Sequence, residues 1–244
     1  MFTCYYCFRK LSIICSTKIY CVSDSVKNQI ITLFNCYNKI ETLYLGVELF
    51  SYNKDKMRNN YSLPMNKTIV SCIAFHNSIK GIDILIKAME YLYYELNERN
   101  TILCQIGGGD TNYFSHLKYL VKIHKIESII YWMGIINNTS EILSASDIYC
   151  QPSLSEGISL SIMESCVAGL PIVASNVGGI PEIVVPDVNG FLIEPKDFKN
   201  LANKLFCLIK DKDLRTTMGK KSYEFKDSFL LDDSIRKIID YYYF

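Results

Sequence analysis

Residues 151–191 read QPSLSEGISLSIMESCVAGLPIVASNVGGIPEIVVPDVNGF, and the order of residue types predicts strand, loop, helix, strand, glycine turn, helix. Asp147 to Gln151 is a short β-rich run stopped by Pro152. A helix from about Ser159 to Val167 ends at Gly169, a residue suited to the left-handed position after a helix. Ile172 to Ser175 is the next strand, and Pro181 opens a short helix as a first-turn proline. Doubly wound sheets bind ligands outside the carboxyl ends of their strands, where loops pass into helix N-termini. The loop Ser153-Leu154-Ser155-Glu156-Gly157 occupies such a place. The first-turn amides of Ile158, Ser159 and Leu160 then lack intrahelical partners and suit a phosphate, and Gly157 permits close backbone approach.

The same alternation extends outward in both directions. Thr68 to Phe75 (TIVSCIAF) reads as a buried strand. Ile82, Leu85, Ile86, Met89, Leu92, Tyr93 and Leu96 then form a stripe of helical period. Thr101 to Ile106 is a strand ending at Gly107-Gly108-Gly109, followed by a helix from about Asn112 to His124. Ser128 to Met133 is a strand, and Thr139 or Ser140 caps a short helix to Ser144. Beyond the central stretch come a strand at Phe191 to Ile193 and a helix capped by Asp197. This pattern predicts an α/β, Rossmann-like, doubly wound parallel sheet covered on both faces. Residues 1–66 differ: Ser23 to Phe34 reads as helix, Ile40 to Leu45 as strand and Ser51 to Pro64 as a polar loop, too little for a second α/β lobe.

Composition narrows the function classes. The 244 residues carry 26 Lys plus Arg against 25 Asp plus Glu, scattered rather than clustered, which gives no electrostatic footprint for nucleic acid. No apolar run reaches the roughly 18–20 residues of a membrane span, and the N-terminus lacks the charge and apolar pattern of a signal peptide, so a cytoplasmic location is expected. Of the ten cysteines, Cys4 and Cys7 form a CxxC without a second pair at ligand spacing. Cys72, Cys104, Cys150, Cys166 and Cys207 lie within apolar runs and are expected to be reduced core thiols. No metal site is expected.

Glu156 and Glu164 stand at the mouth and on the second turn of the central helix, so both can face one pocket at different depths. A carboxylate there accepts paired hydrogen bonds from vicinal sugar hydroxyls. Two isolated glutamates would be read as a helix-dipole residue and a solvated one. Here they belong to a longer pattern: EGISLSIMESCVAGLPIVASNVGGIPEIV resembles the signature of glycosyltransferase family 4, the "group 1" class of retaining enzymes with the two-lobed GT-B fold. IKGIDILIKAM, QIGGGD and MGIINNTSEILSASDIYCQPSLSEG resemble further family segments, and CVSDSVKNQI with LYLGVELF resembles the passage between its lobes.

The resemblance implies that residues 67–228 are the C-terminal, nucleotide-sugar-binding lobe, and residues 1–66 a remnant of the first lobe with the interdomain passage. Residues 229–244 are then a helix that crosses to that lobe. Glu164 would hold the ribose hydroxyls. Glu156 would lie against the donor sugar and help stabilise positive charge at its anomeric carbon. The amides of Ile158, Ser159 and Leu160 would cradle the diphosphate, Lys80 would neutralise it, and the loop Gly134-Ile135-Ile136 would meet the base. The donor would be a nucleotide-diphosphate-sugar used without a cofactor, and the acceptor a sugar or lipid-linked glycan. A separate chain would supply the first lobe, and through it or another partner the protein would sit at the inner face of the membrane. The family usually has an Arg five residues before the Lys, where this chain has Phe75. His76 is then either a substitute cation for the donor or a strand-end histidine without a ligand. His116 and His124 are assigned no role. A non-catalytic nucleotide-sugar-binding subunit and a related GT-B sugar-nucleotide enzyme are the alternatives.

Overall fold

The computed structural model describes residues 12, 13, 15–35 and 37–243, with the side chains of 241–243 left aside. Cys4, Cys7, Cys36, the N-terminal decapeptide and the aromatic end of the C-terminal run lie outside the described residues or side chains. Six strands form the main sheet: β3 (Thr68–Ile73), β4 (Thr101–Ile106), β5 (Ile130–Gly134), β6 (Ile148–Gln151), β7 (Ile172–Ser175) and β8 (Gly190–Ile193). Every neighbouring pair is parallel, in the order β5-β4-β3-β6-β7-β8. The chain therefore builds outward from β3 in one direction, returns to β6 beside β3, and builds outward in the other. The switch of direction between β3 and β6 opens a crevice at their carboxyl ends.

Local chemistry sets the helix starts. Asp110 accepts from the amides of Asn112 and Tyr113 to begin α4 (Thr111–Ile123), Ser159 caps α6 (Leu160–Val167), and Asp197 accepts from Asn200 to begin α7 (Phe198–Lys210). One core cluster joins α3 (Ile82–Tyr94), α4 and α7 to the central strands through residues such as Leu85, Met89, Leu117, Leu201 and Leu205. A second joins α6 to β7 through Ile162, Met163, Cys166, Ile172 and Ala174.

Several local expectations are corrected. The polar stretch 51–64 holds a helix, α2 (Lys54–Asn60), because Asn53 caps it and Met57 and Leu63 enter the larger core cluster. α2 packs against α5 (Thr139–Ala145). The strand expected to reach Leu45 stops at Thr42. Lys212–Phe225 is a further helix, α8, capped by Asp211, in a segment whose polarity gave it no clear stripe. Cys207 is exposed rather than core, whereas Cys72, Cys104 and Cys166 are buried, and burial pushes their thiols up to about 12.

Ahead of the main sheet, β1 (Ile19–Cys21) and β2 (Ile40–Thr42) pair in parallel around α1 (Asp24–Phe34). α9 (Leu231–Tyr243) begins against residues 44–47: Val47 donates to Phe229 O at 3.0 Å, and Ser234 Oγ donates to Tyr44 O at 2.7 Å. The small β1-α1-β2 unit is pinned to the main body by Glu182 of the glycine turn. Its carboxylate accepts from the amides of Asp24 and Ser25, both at 2.9 Å, and from Tyr44 Oη at 2.8 Å. These are charge-assisted bonds to otherwise orphaned helix-start amides. Glu182→Ala is expected to cost about 1.5–3 kcal/mol and to speed hydrogen exchange selectively over residues 19–47. Unchanged exchange there would show that the unit is held by other contacts.

Candidate functional site

Lys80 follows β3 and Glu156 follows β6, so the two strands that flank the switch point deliver one charged residue each. Lys80 ends the turn Ser78–Lys80, which leads through Gly81 into α3. Gly81 has φ +65°, and a Cβ there would lie 2.1 Å from Pro152 O, so only glycine lets this turn seat on the loop after β6. Leu154 N donates to Ile79 O at 2.7 Å and fixes the two loops together. The outcome is a Lys80 Nζ to Glu156 Oε1 ion pair of 2.7 Å.

That same carboxylate oxygen accepts from Ser153 Oγ at 2.8 Å and from Gln151 Nε2 at 3.3 Å. Gln151 is held in turn by Tyr149 Oη, which donates to its Oε1 at 2.6 Å, and by Ser161 Oγ at 3.3 Å. Three donors on Oε1 fix the orientation of Glu156, and no other hydrogen bond to its carboxylate occurs among the described residues. The loop is supported from below by the glycine turn. Gly178 has φ +54°, and a Cβ there would stand 1.7 Å from Glu156 O. Gly179 N donates to Gly157 O at 3.0 Å.

A cavity of about 460 Å³ opens beside the ion pair. Its lining combines polar side chains, Lys80, Gln151, Ser161 and Thr139, with apolar ones, Phe75, Ile106, Ile135 and Ile136. Glu164 lies behind Thr139, whose Oγ1 donates to Glu164 Oε2 at 3.2 Å. Burial raises the Glu164 carboxyl above the usual range, and the Thr139 hydrogen bond offsets this only in part. Further donors to this carboxylate would therefore relieve a desolvation cost that the protein alone leaves incompletely met.

Of the residues expected at the site, Lys80, Ile135 and Ile136 line this cavity; Glu156 is joined to it through the Lys80 ion pair and Glu164 through Thr139, and Ile158, Ser159 and Leu160 are not among the lining residues. Gly134, at φ +66°, turns the loop, and its carbonyl accepts from Gly107 N at 2.8 Å. Ser159 uses its Oγ as the α6 cap, accepting from Ile162 N, while Leu160 is exposed. Gly157 rests beside Val22 and Val26, and Ile158 packs on the smaller core cluster. His76 is not brought to the cleft. It is 4% exposed, Nε2 bonds Gln105 Oε1 at 2.8 Å, and the ring stacks on Phe114 at 4.5 Å. That is the environment of a core histidine and not of a substitute cation.

Ser153 was read only as part of a ligand-binding loop and Thr139 only as a helix cap, and no pattern joined them or Gln151 to the two glutamates. Ser153 and Gln151 are ordinary polar residues in sequence, and only the fold shows them converging on Glu156. Glu182 follows the first-turn proline Pro181, but its partner helix α1 lies far away in the chain.

A six-stranded parallel sheet with a cleft at its switch point, fed by Lys80, Glu156 and the start of α6, defines a Rossmann-like lobe of the GT-B type. The chain belongs to the glycosyl transferases group 1 family, whose model matches residues 53–225. An uncharacterized glycosyltransferase of Haemophilus influenzae is 32% identical over 184 residues, 75% of this chain and 50% of that protein. The N-acetyl-alpha-D-glucosaminyl L-malate synthase of Bacillus anthracis is 26% identical, over 83% of this chain and 53% of its own length. The chain thus spans about half the length of these curated relatives. Among solved structures, sucrose-phosphate synthase of Thermosynechococcus elongatus superposes with a TM-score of 0.89 at 22% identity, covering 97% of this chain and 60% of that one. Anabaena HepE in complex with UDP gives 0.85 at 20% identity, covering 92% and 63%. At such identities the likeness establishes the fold.

Proposed function

We propose that this chain is the donor-binding lobe of a retaining family 4 glycosyltransferase, which moves a sugar from a nucleotide-diphosphate-sugar to a glycan or lipid-linked acceptor. The observation that carries this is the Lys80–Glu156 pair held at the switch-point cleft, with Glu164 half-buried behind Thr139 of the cleft lining. HepE is described in complex with UDP and with UDP-glucose, the class of ligand assigned to this cleft. Glu164 receives the ribose hydroxyls, the α6 amides and Lys80 receive the diphosphate, and Glu156 faces the sugar. As the bond from the anomeric carbon to the diphosphate breaks, Lys80 stabilises the departing negative charge and Glu156 the positive charge left on the sugar. No metal or other cofactor is needed for this division of labour.

With Phe75 beside the cleft, Lys80 is the only cationic side chain lining it among the described residues. Lys80→Ala is expected to weaken a nucleoside diphosphate by roughly 1.5–3 kcal/mol and to leave the corresponding nucleoside nearly unaffected. Calorimetry showing equal losses for both ligands would remove Lys80 from the phosphate. This single cation also favours, as a second reading, a subunit that binds donor without catalysis.

Transfer requires an acceptor held in line with the anomeric carbon and a cleft closed to water. In the two-lobed architecture a first lobe provides both, from the same polypeptide or another chain. The chain by itself is expected to bind donor and to transfer negligibly, and an added first lobe to restore turnover that Glu156→Ala removes. The assay uses a mixture of nucleotide-sugars with sugar and lipid-linked acceptors, with and without that lobe. Robust turnover by the chain alone would contradict the need for a first lobe. Donor binding with no turnover in any combination would favour the non-catalytic subunit.

A further inference from the structure

A larger recess lies at the opposite edge of the sheet from the cleft. Ser146 and Asp147, which lead into β6, and Leu170 and Pro171, which lead into β7, line a groove of about 800 Å³. It stands at the amino ends of these strands, whereas the cleft opens at the carboxyl ends. The segment 50–54 and helix α8 complete the lining. α8 can settle there because Gly219 is bare: a Cβ on it would lie 2.3 Å from Gly169 O, just past the end of α6. Lys212, Arg215, Thr216, Lys220 and Tyr223 all line the groove and recur at helical spacing along α8.

The charges of the groove do not balance. Its two acidic side chains are already matched: Asp147 holds Lys54 and Arg58, and Glu224 holds Lys221 at 2.8 Å. Lys212 and Lys220 are exposed, and their ammonium groups make no hydrogen bond or ion pair among the described residues. Arg215 is half-buried and held in place. Its Nη1 donates to Leu208 O at 2.6 Å and Ile209 O at 3.1 Å, while Nε and Nη2 have no partner among the described residues. A guanidinium fixed through one nitrogen offers the rest of its fork to an oxyanion with little further loss of side-chain freedom. Three unmatched cations in one groove contrast with a net charge of +1 for the whole chain. Lys212 and Lys220 are about 12 Å apart along the helix, too far for one small anion and suited to a chain of linked anionic groups. The rest of the lining is hydroxylic and aromatic. The hydroxyls of Ser51 and Ser144 make no hydrogen bond among the described residues, and Tyr52 and Tyr223 are 39% and 48% exposed. Free hydroxyls can pair with sugar hydroxyls, and amphipathic rings can cover the C–H faces of sugar rings. We propose that this groove is a non-catalytic site for an acidic oligosaccharide, one that carries carboxylate or phosphate groups along its chain. The saccharide class rests on the glycosyltransferase function proposed above. Because the groove is at the far edge of the sheet from Lys80 and Glu156, it holds a glycan without placing a reacting hydroxyl. A nucleic acid would call for a broad basic surface, which the balanced charge of the chain does not supply.

The test is calorimetric titration of the chain at low ionic strength. The probes are trigalacturonate, a phosphodiester-linked sugar trimer, neutral maltotriose, inorganic phosphate and a short RNA oligonucleotide. At least one acidic trimer is expected to bind about tenfold or more tightly than maltotriose, phosphate or the RNA. The double variant Lys212→Ala/Lys220→Ala, at two exposed and unpaired positions, is expected to fold as wild type and to weaken that trimer about tenfold or more. Arg215→Lys keeps the charge but loses the fork, and is expected to weaken it severalfold. Nucleoside diphosphate affinity is expected to be unchanged in the double variant, and acidic-trimer affinity unchanged in Lys80→Ala. The groove is overturned if neither acidic trimer binds, or if the double variant binds it as well as wild type does. Phosphate binding as tightly as the trimers would make this a single-anion site, and RNA binding as tightly would make it a nucleic-acid surface; either result also overturns the proposal. Acidic-trimer binding with these dependences, in a chain that binds no nucleoside diphosphate, would uphold the groove while the donor-binding function falls.

Discussion

Arg58→Ala is expected to lower the unfolding free energy by about 3–5 kcal/mol, the cost of opening a buried ion pair from one side. Arg58 is a surface-type residue on a seven-residue helix, yet its guanidinium is buried and almost wholly committed. Nε donates to Ala145 O at 2.9 Å and Nη2 to Asp147 Oδ2 at 2.7 Å. Nη1 reaches the carbonyls of Pro64, Met65 and Lys67 at 3.2–3.4 Å. Asp147, just ahead of β6, also takes Lys54 Nζ at 2.6 Å and the Ile69 amide at 2.7 Å. One guanidinium thus ties the segment before β3 to the start of β6, the two strands that flank the switch point. Burial disfavours the charged Asp147, but Lys54, the Ile69 amide and Arg58 together hold its carboxyl below the ordinary value of 3.8. A depressed carboxyl stabilises the fold above its unfolded value, and that contribution is lost only as the pH falls through the lowered one. For a chain of this length the loss in Arg58→Ala corresponds to a fall in Tm of roughly 6–20 °C. Urea midpoints at neutral pH measure it. A change under about 1 kcal/mol would mean that residues 53–67 are not part of the cooperative unit.

This network also marks the limit of what could be read without the fold. The parallel sheet was legible because its strands are short apolar runs and its helices amphipathic, the two periodicities that burial on a covered sheet imposes. Glu156, Glu164 and Lys80 were singled out by the resemblance of the segments around them to a family signature, and the fold then joins Lys80 to Glu156 as an ion pair. Arg58 and Asp147 were not, because they lie far apart in sequence in stretches that read as polar loop and strand start. α2 was missed for the same reason: its single buried apolar residue, Met57, gives no stripe. His76 was legible as a strand-end residue, but not as one buried away from the cleft. Its direction is set by Phe114 and Gln105, which come from α4 and β4.

The claim that organises all of this is that the Glu164 end of the cleft holds the ribose of a nucleoside diphosphate. Glu164 is half-buried, its carboxyl is raised by desolvation, and it is bonded only by Thr139 Oγ1 among the described residues. A ribose supplies two adjacent hydroxyl donors, which a carboxylate accepts as a pair. Losing that acceptor leaves the hydroxyls desolvated without a partner, the most costly form of a missing hydrogen bond. The direct measurement is the ligand-induced thermal shift of wild type and Glu164→Ala at pH 7.5, across uridine, guanosine and adenosine 5′-diphosphates. With the preferred nucleotide at ~100 times its Kd, wild type is expected to gain about 2.7 kcal/mol, a rise in Tm of roughly 5–10 °C. Glu164→Ala, folded and with a similar Tm in the absence of ligand, is expected to show little or no rise at the same concentration. An equal rise in both proteins, or none in wild type with any nucleotide, would contradict the account.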